Sequence, residues 1–395
     1  MILALLLVAM LVGCGSTGTT KSAGATTATG SSDKSSSSES ADKPSSSESN
    51  DKPSSSESND KPSGDGKVWP NGTPTVTVGF GAGGGTDTAV RPVIAEMEKY
   101  LGETINVLNQ DGAASAVAAT NVLNKPHDGY SMFATGSGAF AGFGVNDTSD
   151  SDWTDWASFH AFTGPAAIVV NPNGNIKSLD DLKNYLSQGT QNFAIGSFGN
   201  GPHVQIEAIL QLLGIDSVNY MTLGSCRDAG VSVVSGDAEV AIGSFSALID
   251  FVNAEQLNAL CVTTADGWTL SSGGKVGETI PSITTLIEGA DAIPQLCETW
   301  PIMIPRDAPQ NIIDKVEEAF KYALTTDAIK EFAKEKGYIV VGYTGEEADR
   351  FQAMQTCAYS WVQYDSGLVS ISPESLNLPR LEDFDWEVEK AKLNK

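Results

Sequence analysis

The chain has 395 residues, with 24 Lys and Arg against 49 Asp and Glu and a formal net charge of −25. Such an excess of acid argues against nucleic acid and anionic lipid surfaces as partners. The length allows two or three ordinary domains, and 41% hydrophobic content supports a sizeable core, whereas five Cys and three His supply neither a disulfide scaffold nor a metal centre, so no metal and no cofactor is expected.

Residues 2–12 form an eleven-residue apolar run. A spanning helix needs about 20 such residues, so this run has the length of a signal-peptide core instead. It leads into Leu11-Val12-Gly13-Cys14, which looks like a bacterial lipobox, although no Lys or Arg precedes the run. The expectation is a lipoprotein signal peptide over 1–14, with lipid on Cys14 as the attachment to the membrane. Residues 15–66 are Ser, Thr, Gly, Asp, Glu and Lys with almost nothing apolar. Three nine-residue units of the form Ser-Ser-Ser-Glu-Ser-(Ala/Asn)-Asp-Lys-Pro start at Ser36, Ser45 and Ser54. Such a tract cannot bury enough apolar surface to offset its chain entropy and reads as a disordered tether.

From Lys67 the pattern changes to alternating strands and helices. Strands are expected at 75–80, 105–108, 131–135, 166–170, 192–197, 238–243 and 257–262. A helix follows the first strand from about Asp87, with Val90, Val93, Ile94, Met97 and Leu101 on one stripe. Another helix is expected near 114–123. Ser178 is placed to cap a helix over 179–186, and Pro202 sits where a helix over 202–213 would begin. Asp307 and Thr344 read as caps of two late helices. The alternation implies an α/β fold with mostly parallel strands, and its length exceeds one core, so two lobes are expected.

The most informative segment links the first strand to its helix: Phe80-Gly81-Ala82-Gly83-Gly84-Gly85-Thr86-Asp87. Glycines admit a ligand close to the backbone, and the first N–H groups of a helix attract an anion. The same residues also contain Gly79-x-Gly81-x-x-Gly84, a dinucleotide-type spacing, and a plain capped turn fits as well. A second loop of this kind, from Gly196 to His203, again joins strand to helix, and Thr135-Gly136-Ser137-Gly138 ends a third strand. Ligands of open α/β sheets gather at the carboxyl ends of strands, so these loops can face one cleft. No G-x-S-x-G, G-x-x-x-x-G-K-[ST], H-E-x-x-H or C-x-x-C motif is present. His127 reads as a turn residue and His160 as packing, while His203 in the first turn of its helix is a candidate ligand contact. Cys226, Cys261, Cys297 and Cys357 have no metal spacing, and the sequence does not say whether any of them pair.

Taken in order, the residues resemble one family. Trp69-Pro70, Gly83-Gly84-x-Thr86-Asp87, Arg91, Leu101-Gly102, Val107-x-Asn109, Gly112-Ala113 and Asp128-Gly129-Tyr130 follow the order and spacing of the substrate-binding proteins of tripartite tricarboxylate transporters, the Bug-type receptors. The similarity continues through Val169-Val170-Asn171-Pro172, the Gly196–His203 loop, Gly236-Asp237-Ala238-Glu239-Val240 and Ala308-Pro309, covering about 69–364.

The resemblance implies a two-lobed, periplasmic-binding-protein-like (Venus flytrap, type II-like) α/β fold with a ligand cleft. Lobe 1 would span 67–167 and return over 301–365, lobe 2 would span 168–300, and 366–395 would be a C-terminal extension. It further implies a monomeric, lipid-anchored extracytoplasmic receptor, not an enzyme, that passes a small organic anion, a carboxylate with di- and tricarboxylates included, to membrane permease subunits of a tripartite transporter. Its carboxylate would be held by Ala82, Gly83, Gly84, Thr86 and Asp87 with Thr135 and Ser137 beside them, and by Gly196, Ser197, Gly199 and Gly201 of the other lobe. One departure is Tyr220-Met221-Thr222-Leu223-Gly224, where the family has a Pro-Tyr-x-Gly element. Arg227, just beyond it, can grip a carboxylate with two parallel hydrogen bonds or pair with Asp228 on the surface. A receptor for a neutral or amino-bearing solute, or a cell-surface enzyme using the same cleft, is the alternative.

Overall fold

The computed structural model describes residues 69–394 apart from Thr190 and Ser217. The apolar run, Cys14 and the tether lie outside the described residues. In chain order the first elements are β1 (Thr75–Val78), α1 (Gly85–Leu101), β2 (Asn106–Asn109), α2 (Ala116–Leu123), β3 (Ser131–Ala134), α3 (Ser137–Ala141) and β4 (Trp156–Gly164). Then come β5 (Ala166–Val170), α4 (Leu179–Leu186), β6 (Asn192–Ile195), α5 (Gly201–Leu213), β7 (Asn219–Thr222), α6 (Cys226–Ser235), β8 (Val240–Ser244), α7 (Phe245–Asn253) and β9 (Asn258–Val262). A small ribbon of β10 (Trp268–Thr269) and β11 (Thr279–Ile280) precedes β12 (Glu298–Pro305), α8 (Gln310–Thr325), α9 (Asp327–Lys336), β13 (Ile339–Tyr343), α10 (Gly345–Asp365) and α11 (Trp386–Lys390).

The apolar stripe decides how α1 sits. Val90, Val93, Ile94 and Met97 are buried on it and pack in one cluster with Val76 and Val78 of β1 and Val316 and Phe320 of α8. The first sheet runs β13-β4-β12-β3-β1-β2, and the second runs β7-β6-β8-β5-β9 with its own clusters around Phe193, Ile206 and Ile242 on one face and Phe245 and Leu248 on the other. Each sheet is the centre of one lobe. Ser178 caps α4 through the Asp181 amide at 3.1 Å, as its position in the sequence suggests.

The strands are not mostly parallel. β1 runs parallel to β2 and β3, and β6 to β7 and β8. Antiparallel pairs join β3 to β12, β12 to β4, β4 to β13, and β5 to β8 and β9. The reason lies in the links between lobes. The chain enters the second sheet strand to strand across Pro165 and returns to β12 through the small ribbon and short 3-10 turns, without the crossover α-helix a parallel neighbour requires. Asp307 does not cap α8 either: Pro309 holds the N-cap position, and Asp307 bonds the Nδ1 of His127 instead. Residues beyond 366 pack on the first lobe. Trp386 lies 5.9 Å from Trp153 and donates to Glu346, while Arg380 stacks over Trp361 and pairs with Asp365.

Candidate functional site

The first glycine-rich loop is held from below by Asp87. Its carboxylate accepts from the Gly83 amide at 2.9 Å, from Arg91 Nε at 2.8 Å and from Asn109 Nδ2 at 2.9 Å. Burial works to raise the pKa of Asp87, but Arg91, the Gly83 amide and Asn109 outweigh it and hold the carboxyl below its ordinary value. Gly83 takes φ +76°, a conformation that favours glycine, whereas Gly84 does not. Asp87 and Arg91 therefore shape the loop, and their charges are spent on each other.

Four helices begin on the wall of one small cavity between the lobes. Gly84, Gly85 and Thr86 start α1, Asn200 caps α5, Ser225 and Cys226 start α6, and Ser244 precedes α7. Phe80, Gly136, Gly224, Glu298 and Trp300 complete the lining, and the volume is about 20 Å³. That is close to the room one water needs. The lobes meet tightly around it: a Cβ on Gly85 would lie 2.8 Å from Ser244 Oγ, and one on Gly84 would lie 3.5 Å from Ser225 Cβ.

Glu298, the first residue of the returning strand β12, projects into this place. Its Oε1 accepts from the Gly201 amide at 3.1 Å and its Oε2 from Ser244 Oγ at 3.4 Å, and the Gly138 amide also donates to it. Burial pushes its carboxyl up to about 7, against the pull of the Gly201 amide, the Ser244 hydroxyl and the Gly138 amide. No cation is among the groups acting on it. Nothing in the sequence reading singled out Glu298. The one available signal was an acid at the head of a mostly apolar strand.

A larger chamber of about 430 Å³ lies between the lobes, sharing Gly224 with the small cavity. Ala113, Ala114, Ala139, Gly142, Phe143, Asn146 and Thr148 line it from the first lobe, and Gly196, Ser197, Phe198, Gly199, Thr222 and Gly224 from the second. Among the described residues, no charged side chain lines it. Ser197 Oγ is buried with no hydrogen-bond partner among the described residues. The turn at Ala113, Ala114 and Ser115 is left-handed at all three residues, with φ of 46°, 50° and 81°. Each such non-glycine residue costs on the order of 1 kcal/mol and persists only where its surroundings impose it. Here Ser115 Oγ bonds Thr135 Oγ1 at 2.6 Å, and Gly79 leaves the room Ser115 needs.

The sequence candidates separate accordingly. Gly84 and Thr86 line the small cavity, and Gly196, Ser197 and Gly199 line the chamber. Gly201 faces Glu298. Ala82 is exposed and lines neither space. Thr135 is turned to Ser115, and Ser137 bonds Gln355 at 2.7 Å and the Thr299 amide at 3.0 Å. His203 is fully buried, with Nδ1 accepting from the Gly199 amide at 3.0 Å and its ring between Phe198 and Tyr220. Burial lowers its pKa to about 4, so it is neutral and acts by fixing the loop. Arg227 is exposed at the seam between the lobes, its stem near Gly83 and its guanidinium 4.9 Å from the ring centre of Phe251. The four described cysteines are free thiols, and no group of three or more His, Cys, Asp or Glu among the described residues can hold a metal.

Two lobes closing on an amide-lined cleft define a solute-binding protein of the periplasmic type. A family model described as the tripartite tricarboxylate transporter family receptor matches residues 89–360, and the chain belongs to that family. Its members are extracytoplasmic solute receptors, not enzymes. Similar curated proteins are a UPF0065 protein of Agrobacterium vitis, 26% identical over 270 residues (67% of this chain, 74% of that protein), and one of Bordetella pertussis, 23% identical over 277 residues (68% and 82%). Among solved structures, the periplasmic binding protein BugD superposes with a TM-score of 0.69 at 17% identity, covering 76% of this chain and 99% of that one. MatC of Rhodopseudomonas palustris with bound malate gives 0.67 at 20% identity (74% and 99%), and an R. palustris protein with adipate gives 0.68 at 20% (76% and 99%). At these identities the superpositions establish the fold.

Proposed function

We propose that this protein captures a small organic anion in the cleft between its lobes and presents it to the permease subunits of a tripartite transporter. The observation that carries this reading is the cleft itself. Helix starts and glycine loops from both lobes face it, and its chamber has the size of a small-molecule site. Malate and adipate in two structures of the same fold support a carboxylate as the solute class. The contacts we assign are the loop Gly196, Ser197 and Gly199 and the turn at Ala113 and Ala114, with the backbone at Gly84 and Thr86 shaping the adjoining floor. Isothermal titration of the full chain against a panel of carboxylates tests the reading: binding without turnover is the expected result, and a panel with no binder overturns it. Gly84→Val would press a side chain on Gly81 and Ser225 and should weaken binding by about 1–3 kcal/mol, the scale of a lost buried hydrogen bond.

The same proposal includes a lipid on Cys14 and a tether over 15–66 that lets the receptor reach its permease. Cys14→Ser should move the protein from the membrane fraction to the soluble one while leaving solute binding intact. Retention of that variant in the membrane fraction would remove the anchor from the proposal.

A further inference from the structure

The small cavity has the makings of a carboxylate site, yet a carboxylate of the chain itself is already seated there. Gly201 and Gly136 make the seat. A Cβ on Gly201 would lie 2.2 Å from Glu298 Cδ, and one on Gly136 would lie 2.6 Å from Glu298 Oε1. The Gly201 amide and Ser244 Oγ, both from the second lobe, bond the two oxygens, and Ser244 makes no cap bond to its own helix. Glu298 is fully buried, comes from the first lobe's sheet and has no cation acting on it. Its partners are those a bound solute would use: helix-start amides and a hydroxyl. The other titratable groups facing it are the buried Cys226, Tyr338 and Tyr359 and the half-buried Cys297, and none adds positive charge.

We propose that Glu298 is a built-in occupant of the carboxylate subsite at the floor of the cleft and sets the specificity of the receptor: the solute carries one carboxylate, bound in the 430 Å³ chamber, and a second carboxylate is refused at the floor. The inference rests on the receptor reading above and names the solute class within it. Space and charge both enforce it. The floor leaves about 20 Å³ beside Glu298, and a second anion there would share the same few donors with it.

The test uses formate, which needs no knowledge of the natural solute. Full-length wild type, Glu298→Ala and Glu298→Gln are titrated with formate by calorimetry at constant ionic strength. Glu298→Ala vacates the seat and should bind formate at least tenfold more tightly than wild type, with a matching rise in melting temperature. Glu298→Gln keeps the seat filled and should show no gain. A folded Glu298→Ala protein without the gain, or an equal gain in Glu298→Gln, overturns the proposal. Should Glu298→Ala not fold, Glu298→Ser, which leaves a hydroxyl for the amides, carries the same comparison. Succinate supplies the second arm: it should bind Glu298→Ala at least tenfold better than wild type, and equal binding overturns the specificity role. A wild type that binds succinate tightly would thus refute this inference and uphold the receptor, whereas a wild type that binds no carboxylate would count against the receptor and leave the formate result to decide the seat.

Discussion

The two glycine-rich loops are built alike and end in different electrostatic surroundings. Each joins a parallel strand to a helix, and each presents backbone at the seam between lobes. The first is pinned by an ionised carboxylate, Asp87, and faces a floor filled by Glu298. The second is pinned by a neutral imidazole, His203, and faces a chamber without charge in which Ser197 Oγ has no partner. The same helix-start chemistry is thus structural where the opposite lobe places a side chain against it, and receptive where it does not.

The largest expected effect concerns the acidic side of this contrast. With the folded-state pKa of Glu298 raised from 4.5 to about 7, its contribution to stability is complete below pH 4.5 and is lost as pH rises through about 7. At about 1.4 kcal/mol per unit this amounts to about 3 kcal/mol. Melting temperatures of wild type and Glu298→Gln, compared across that window, should diverge as pH rises, with wild type losing ground. His160 and His203, lowered to about 3 and about 4 by burial, act in the opposite sense. Both contribute stability above pH 6.5 that is lost as pH falls through their folded values, and both are common to the two proteins, so the difference isolates Glu298. Parallel curves would show that Glu298 does not titrate in the fold.

Gly201→Ala sharpens the comparison sterically. The added methyl would overlap Glu298 and evict it from the seat, with an expected cost of about 2 kcal/mol by thermal or urea unfolding. A cost near zero would mean that the carboxyl shifts freely. On the neutral side, His203→Phe keeps the ring packing but leaves the Gly199 amide without its acceptor, an expected loss of about 1 kcal/mol. Because the amide belongs to the chamber wall, solute affinity should fall with it; unchanged affinity would place the solute elsewhere. Arg227→Gln should matter least. An exposed guanidinium over Phe251 contributes about 0.5 kcal/mol, and we expect less than a twofold change in affinity. A tenfold loss would return Arg227 to the list of solute contacts.

Much of the scaffold could be read from local pattern. The stripe on α1, the cap at Ser178 and the proline in the first turn of α5 are set by residues within a turn or two of each other, so periodicity and capping reveal them. The glycine loops were visible for the same reason. Strand direction was not: β4, β5 and β12 form the links between lobes, and their antiparallel pairing depends on segments about 70 to about 140 residues apart. The roles of Asp87 and His203 were half legible, since their positions in helix first turns were clear but their partners Asn109 and Gly199 were a matter of packing.

By itself, then, the sequence determined the alternation of strands and helices, the acidic balance, the glycine loops at helix starts and the kinship with a receptor family. These depend on spacing of a few residues and on composition, which survive without knowledge of the fold. Only the tertiary structure decided that four helix starts from two lobes meet at one point, and that Glu298, 97 residues beyond Gly201, lies on its amide. A buried carboxylate of this kind leaves no periodic or motif signature, because it is stabilised by backbone amides. Those donors are common to every helix start, and only three-dimensional convergence turns them into a site.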